Sequence, residues 1–342
     1  MEGTLYDYLE YYKDYSFKEV NFNMIDALLY SIISYIPMDT INEGTSLKSL
    51  NKITSTLVTK GTMANTAIDI IKIMSDSKRY STVKLYSLVK DYTDTYEFGA
   101  LTFRDIYYTF VGFQGSIGTI AGWKENLYIM AEYPTLSQSR ASEYLKEVIR
   151  FTDRHIYLGG HSKGGNLALS SLMLANKSIT KRIEKVYNFD GPGFKKEEFE
   201  SERFKEVKDK MINILPDGSM VGIILNHDKY NFIKSKNISI EKHFPTNWLV
   251  FGEFFVKSEE NRSSKALNNR ITVSLDKLTP SERKMFVDSL FEVMDNKKIN
   301  KVRDFSKLDL NDLKGITSKM KNLSEEKKKL IMDTFKIFII NK

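Results

Sequence analysis

Residues 154–175 contain the feature that most restricts the fold, an apolar strand, a sharp turn and a helix in RHIYLGGHSKGGNLALSSLMLA. Ser162 lies at the centre of the turn, in a G-x-S-x-G pattern with Gly160 and Gly164. So tight a turn leaves no room for side chains two residues from the serine, and it directs the hydroxyl out above the sheet edge. A serine in a glycine-rich loop can also simply cap a helix. Because a strand precedes this turn and a helical run follows it, the context favours a nucleophilic serine.

Strands and helices alternate on both sides of this turn. Apolar or charged patterns at helical spacing predict helices over 16–36, 60–75, 138–153 and 195–209. Apolar runs rich in β-branched and aromatic residues predict strands over 84–94, 106–113, 185–190 and 211–216. The alternation predicts an α/β fold, in which right-handed parallel βαβ units form a mostly parallel central sheet with flanking helices.

Composition narrows the chemistry that a site around Ser162 can use. The chain has no cysteine, which excludes disulfides, thiolate metal sites and cysteine nucleophiles. It has only four histidines, so a histidine-rich metal site is not expected, and no cofactor is predicted. A serine nucleophile needs a base, usually histidine, and an acid that orients this base.

Only two histidines follow Ser162, and they are the candidate bases. His243 lies in IEKHFPTNW, between an apolar and an aromatic segment, as expected for a loop beside a sheet edge. His227 is followed by Asp228, and a histidine next to a charged residue is more often a surface residue. In an α/β-hydrolase the chain order is serine, acid, histidine, which favours His243 and leaves His227 as the alternative. His155 and His161 precede the serine and are expected to be structural.

Two aspartates that follow predicted strands are the candidate acids. Asp217 follows the strand MINILP, precedes Gly218 and comes before His243, so we expect it to be the acid. Asp190 ends the preceding strand and is the alternative. It lies in an Asp-Gly-Pro-Gly sequence, which is also typical of a turn without catalytic residues.

Backbone N–H groups are suitable donors to a developing oxyanion because they need no reorganisation. One is expected from Lys163, the residue after the serine. The other is expected from the loop after the strand IYYTFVGF, at Ser116, where Gly115 lets the backbone approach closely. The Ser116 hydroxyl either adds a donor or belongs to an ordinary turn.

Several segments together carry a resemblance, namely FVGFQGSIGTIAGWKENL, GGHSKGGNLA, NFDGPGF, ILPDGSMVG and EKHFPTNW. They resemble a bacterial family of lipase-like α/β-hydrolases of unassigned function, distantly similar to class 3 lipases, over about residues 1–256. The resemblance implies an α/β-hydrolase fold with Ser162, Asp217 and His243 as its triad. Class 3 lipases typically have Phe-Arg-Gly-Thr in the oxyanion loop, whereas this chain has Phe113-Gln114-Gly115-Ser116 and lacks the arginine.

The chain changes character near residue 257. Residues 1–256 are predicted to form the hydrolase domain, and 257–342 a small, basic helical appendage that carries most of the net charge of +7. Capping sequences predict a helix after Thr279 that buries Phe286, Leu290 and Val293, and a last helix after Ser324. Its apolar side would hold Leu330, Ile331, Phe335, Phe338 and Ile339. No signal peptide or membrane span is evident, so a cytoplasmic location is expected.

Two functions from different classes remain open at this point. The first is a serine esterase acting on a small-molecule or lipid-like ester through an acyl-enzyme. The second is a hydrolase-fold binding or regulatory protein with little turnover. Its basic helices would contact a protein partner or an anionic membrane surface. Their charges alternate in sign and lack an RNA-binding motif, so nucleic acid is not expected as a partner.

Overall fold

The strands of the main sheet follow one another in the same order in space as in the chain. A computed structural model describes residues 2–57, 59, 61–94, 96–237, 239–262, 265–266, 272, 276–297, 312, 315 and 324–329. In these residues the sheet has eight strands: β1 (Thr45–Ser46), β2 (Lys84–Tyr92), β3 (Glu97–Arg104), β4 (Thr109–Phe113), β5 (Ile156–His161), β6 (Ile183–Phe189), β7 (Met211–Pro216) and β8 (Asn231–Ile233). Strands β1 to β4 pair antiparallel, and β4 to β8 pair parallel. The predicted α/β-hydrolase architecture is thus confirmed.

Helices cover both faces of this sheet. The helices before β4 are α1 (Leu5–Tyr12), α2 (Met24–Ile33), α3 (Leu47–Thr54) and α4 (Thr62–Ser75). Those after β4 are α5 (Ile120–Ala131), α6 (Leu136–Val148), α7 (Lys163–Leu174), α8 (Lys177–Arg182), α9 (Lys196–Phe199), α10 (Glu202–Val207) and α11 (Pro280–Asn296). A short hairpin of β9 (Val250–Phe251) and β10 (Phe254–Phe255) forms a separate two-stranded sheet.

The sheet separates two hydrophobic cores, one on each face, because neighbouring residues of a strand point to opposite faces. Phe110 belongs to a core with α1 to α4, whereas Val111 belongs to a core with α6, α7 and α10. In β6, Tyr187 and Val186 divide in the same way. The carboxyl ends of the parallel strands are therefore fixed from both sides, and Ser162 follows one of these ends directly.

Local capping explains two differences from the predicted helices. The helix predicted over 16–36 begins only at Met24, because the Asn23 side chain accepts the Ile25 N–H at 2.9 Å and caps it. The helix predicted over 195–209 is broken into α9 and α10, and Ser201 caps the second by accepting the Phe204 N–H at 3.1 Å. Strand β3 was not predicted; it is buried along nearly its whole length and so lacks an alternating pattern.

The C-terminal segment contributes α11 to the described residues. Its predicted capping box is confirmed, since Thr279 N–H donates to Glu282 at 2.8 Å and Glu282 N–H donates to the Thr279 hydroxyl at 3.3 Å. Phe286 and Leu290 are buried as predicted, and the Val293 side chain lies outside the described residues. The helix packs on α5, where the Tyr128 hydroxyl donates to Asp288 at 2.5 Å.

The predicted last helix is described only in part. Residues 325–329 are helical, and the Ser324 hydroxyl accepts the Lys327 N–H at 3.3 Å. The apolar positions predicted for its buried side, from Leu330 to Ile339, lie outside the described residues.

Candidate active site

Ser162 occupies a strained backbone position between β5 and α7. Its φ of 59° and ψ of −131° lie where residues other than glycine are rarely found. The strained position is fixed by two hydrogen bonds. Ser162 N–H donates to Phe189 carbonyl at 2.9 Å, and Ser162 carbonyl accepts Gly165 N–H at 2.9 Å. The predicted sharp turn between strand and helix is therefore present.

The flanking glycines allow backbone segments to touch at this turn. A Cβ atom on Gly160 would lie 2.3 Å from the Gly164 backbone, and one on Gly164 would lie 2.2 Å from the Phe113 carbonyl oxygen. Both distances are far below van der Waals contact, so neither position accepts a side chain. The G-x-S-x-G pattern is thus a steric requirement of the elbow.

His243 is held beside the elbow by its ring and by its backbone. Its Nδ1 lies 2.6 Å from Asp190 Oδ2, and its side chain is 18% exposed. The ring centroid of His161, the neighbour of Ser162, lies 4.5 Å from that of His243. His161 Nε2 also lies 2.8 Å from the His243 carbonyl oxygen, so it donates to that oxygen. Because Asp190 engages Nδ1, Nε2 is the nitrogen of His243 that can exchange a proton.

Asp190 follows β6 and is fully buried. Its Oδ1 accepts the Ser219 hydroxyl and, at 3.1 Å, the Gly222 N–H, while Oδ2 faces His243. Its own N–H donates to the Ile214 carbonyl of β7 at 2.9 Å, and its φ is 54°. This carboxylate is therefore oriented from both oxygens, as an acid that fixes a histidine tautomer requires.

The structure places Asp190, the alternative acid, against His243 instead of Asp217. Asp217 Oδ1 accepts Lys242 Nζ at 2.8 Å and its Oδ2 accepts the Ser258 hydroxyl at 3.0 Å, so both carboxylate oxygens bind other side chains. The structure thus pairs His243 with Asp190, and Asp217 with Lys242. Asp190 follows β6, the parallel neighbour of β5, whereas Asp217 follows β7, one strand further away.

The alternative base His227 is buried in a different environment. Its ring packs 5.0 Å from that of Tyr230, and its Nε2 has no hydrogen-bond partner among the described residues. Burial lowers the pKa of His227 to about 4, so the ring is neutral near pH 7. Asp190 bonds to His243, and the structure does not bring His227 into that pair.

His155 and His161 were expected to be structural, and they differ in exposure. His155 is exposed, and its Nδ1 lies 2.5 Å from Glu184. Burial, together with the nearby His243, lowers the pKa of His161 well below its ordinary value. A neutral His161 places no positive charge beside the His243 ring.

The predicted oxyanion loop touches the elbow. A Cβ atom on Gly115 would lie 3.2 Å from Ser162 Cβ and 2.5 Å from the His161 carbonyl oxygen. Lys163 begins α7, and the first N–H groups of a helix have no partner within the helix. The Ser116 hydroxyl donates to α5, at 3.3 Å from Asn126 Oδ1 and 3.4 Å from the Gly122 carbonyl.

The sequence did not reveal the polar side chains that surround this loop. The Lys163 ammonium is fully buried, donates to the Glu97 carbonyl and lies 3.3 Å from Glu125. Burial raises the pKa of Glu125. The amide oxygen of Gln114 accepts Lys90 Nζ, which comes from β2. Burial lowers the pKa of Lys90 to about 7.

Nowhere in the described part of the chain do three His, Asp or Glu side chains form a group that could hold a metal ion. None of the described helices is long and apolar enough to cross a membrane.

The chain is similar to a protein family and to solved structures. The sequence model of the family described as Mbeg1-like matches residues 74–292. A crystal structure of M37 lipase is similar at 14% identity and a TM-score of 0.36, over 58% of this chain and 69% of the lipase chain. No curated protein matches the chain.

Proposed function

Because the chain belongs to the Mbeg1-like family, a lipase-like family whose model matches residues 74–292, we propose that it is a serine hydrolase. One observation carries the proposal: Ser162 has the strained backbone of an elbow, the ring of the preceding His161 lies 4.5 Å from the His243 ring, and His243 is already paired with the buried Asp190. A serine on a nucleophile elbow and an oriented imidazole are the parts that acyl transfer requires. The proposed substrate is a carboxylic ester, with a lipid-like acyl ester as the first class to test.

In the proposed reaction, Ser162 Oγ attacks the ester carbonyl carbon while His243 Nε2 takes the hydroxyl proton. Asp190 stabilises the resulting imidazolium through Nδ1. The N–H groups of Lys163 and Ser116 donate to the oxyanion. Collapse breaks the bond between carbonyl carbon and alcohol oxygen, and His243 returns the proton to the leaving alcohol. Water then releases the acid from Ser162 by the same steps.

The acid in this mechanism is Asp190, with Asp217 in a supporting position. Asp217 binds Lys242, the residue that precedes His243, and the Trp248 indole N–H donates to the Lys242 carbonyl at 2.7 Å. These contacts hold the segment that carries the base. Asp217 thus acts on the site indirectly, because it binds Lys242, whose backbone is joined to that of His243.

A fluorophosphonate probe tests the nucleophile directly. The purified full chain should be labelled at Ser162, and Ser162→Ala should abolish labelling while the far-UV circular dichroism stays unchanged. A series of p-nitrophenyl esters from acetate to palmitate then defines the acyl preference. Labelling that persists in Ser162→Ala contradicts the assignment. If no ester is hydrolysed and no labelling occurs in the wild type, the binding or regulatory function is favoured instead.

A further inference from the structure

Glu97 is a buried carboxylate that the proposed mechanism does not use. It begins β3 and is only 2% exposed. Its Oε1 accepts the Ile117 N–H at 2.8 Å, and its Oε2 accepts the Thr119 hydroxyl. Ile117 directly follows Ser116, whose N–H is the proposed donor from this loop. Glu97 therefore holds the loop just beyond the donor.

The same carboxylate fixes how the loop enters α5. The Thr119 hydroxyl donates to Glu97 and accepts the Gly122 N–H at 3.0 Å, which makes Thr119 the N-cap of α5. A Cβ atom on Gly122 would lie 2.7 Å from Glu97 Oε2, so glycine at this position allows the carboxylate to approach. Loop and helix start are thus bound to one side chain.

The backbone of Glu97 contacts the other half of the oxyanion site. Its carbonyl accepts the buried Lys163 ammonium and the Ser137 hydroxyl, the latter at 3.1 Å. Lys163 supplies the second proposed N–H donor. One residue of β3 therefore binds the segments that carry both donors, through its side chain on one side and its carbonyl on the other.

We propose that Glu97 is a positioning residue that keeps the Ser116 N–H in register with the Lys163 N–H, an inference that rests on the proposed function. A carboxylate suits this position because it accepts both the Ile117 N–H and the Thr119 hydroxyl as charge-assisted bonds. Glutamine would keep the size of the side chain but would turn an NH₂ group toward one of these two donors.

The test compares an ester with its thionoester, in which sulfur replaces the carbonyl oxygen and bonds poorly to an oxyanion site. Glu97→Gln is expected to lower kcat for the oxygen ester about 10- to 100-fold, by analogy with the loss of one oxyanion donor, with KM within about threefold. The kinetic preference for the oxygen ester over the thionoester should fall as well. A loss of folded protein would lower both rates equally and leave the preference unchanged.

Two further variants keep the inference open to contradiction. Thr119→Val removes the hydroxyl that Glu97 binds and should also lower the preference for the oxygen ester. This variant provides the test if Glu97→Gln fails to fold. Tyr80→Phe removes a 2.5 Å hydrogen bond to Asp26 in a separate network and should leave the preference unchanged. If the wild type is active and the preference is unchanged in a folded Glu97→Gln or in Thr119→Val, the proposed role of Glu97 is wrong and the proposed function stands. A wild type without turnover or labelling overturns the proposed function, and this inference with it.

Discussion

Asp26 and Asp190 are both fully buried and fully hydrogen-bonded, yet their surroundings differ in charge, strain and access. Asp26 forms a two-bond ion pair with Arg79, at 2.6 and 3.1 Å, and neither side chain is exposed. Asp190 faces a histidine that is partly exposed. The first pair balances its charge within the core, whereas the second holds a group that can change its charge. The comparison indicates that burial alone does not distinguish a stabilising carboxylate from a candidate catalytic one.

Backbone strain separates the two regions further. Asp26 lies in the regular helix α2, and Tyr8 and Tyr80 also donate to its carboxylate. Asp190 and Ser162, by contrast, both have positive φ, at 54° and 59°. Such strain persists only where the surrounding structure enforces it, and it is typical of functional sites. We therefore expect changes at Asp26 to reduce stability and changes at Asp190 to reduce activity.

The largest expected effect distinguishes the two candidate acids. Asp190→Asn should lower kcat about 10³- to 10⁴-fold, because an amide no longer stabilises the imidazolium and the required tautomer of His243. Asp217→Asn breaks a partly exposed pair with Lys242 and should lower kcat less than about tenfold. Steady-state ester hydrolysis checks both variants. The reverse order of effects would return the catalytic role to Asp217.

The next effect concerns stability. Asp26→Asn leaves the Arg79 guanidinium buried without its counter-ion and should reduce the free energy of unfolding by about 3–5 kcal/mol. Urea denaturation measures this loss, and kcat of the folded fraction should stay at the wild-type value. Glu19→Gln is the matched control, because Glu19 pairs with Lys78 at an exposed position. Its effect on the free energy of unfolding should be hardly measurable. Equal losses in both variants would remove the distinction between buried and exposed pairs.

A pH effect of intermediate size is expected at His227. Its pKa is about 4 in the folded protein and 6.5 in an ordinary environment. Between pH 6.5 and about 4, His227 binds a proton in the unfolded chain but not in the folded protein. The free energy of unfolding therefore falls as the pH falls. The integrated effect is on the order of 3 kcal/mol. Denaturation at pH 7, 5.5 and 4 should show a shallower decline in His227→Phe than in the wild type; equal slopes would contradict the shift.

The smallest expected effect isolates strain at the elbow. Ser162→Gly should raise the free energy of unfolding by about 1 kcal/mol, because glycine tolerates the positive φ. Ser162→Ala is the matched control, since it also removes the hydroxyl but keeps the Cβ atom and therefore the strain. Thermal or urea unfolding compares the two inactive variants. If they are equally stable, Ser162 holds no strain that glycine relieves.

Much of the fold follows from local patterns in the sequence. Helix α4 and strands β2 and β7 lie within one or two residues of their predicted ranges, because their patterns are regular. Strand β3 escaped prediction because burial on both faces removes the alternation that marks a strand. No local pattern indicates the contacts that Glu97 makes, since Ile117 lies 20 residues away in the chain.

The sequence by itself determined the elbow around Ser162, because the glycines at 160 and 164 satisfy a steric condition that acts over a few residues. Chain order and the scarcity of histidine directed attention to His243. Only the tertiary structure decided which aspartate faces it. His243 pairs with Asp190 and Lys242 pairs with Asp217, and both are contacts between segments far apart in the chain that no local pattern records.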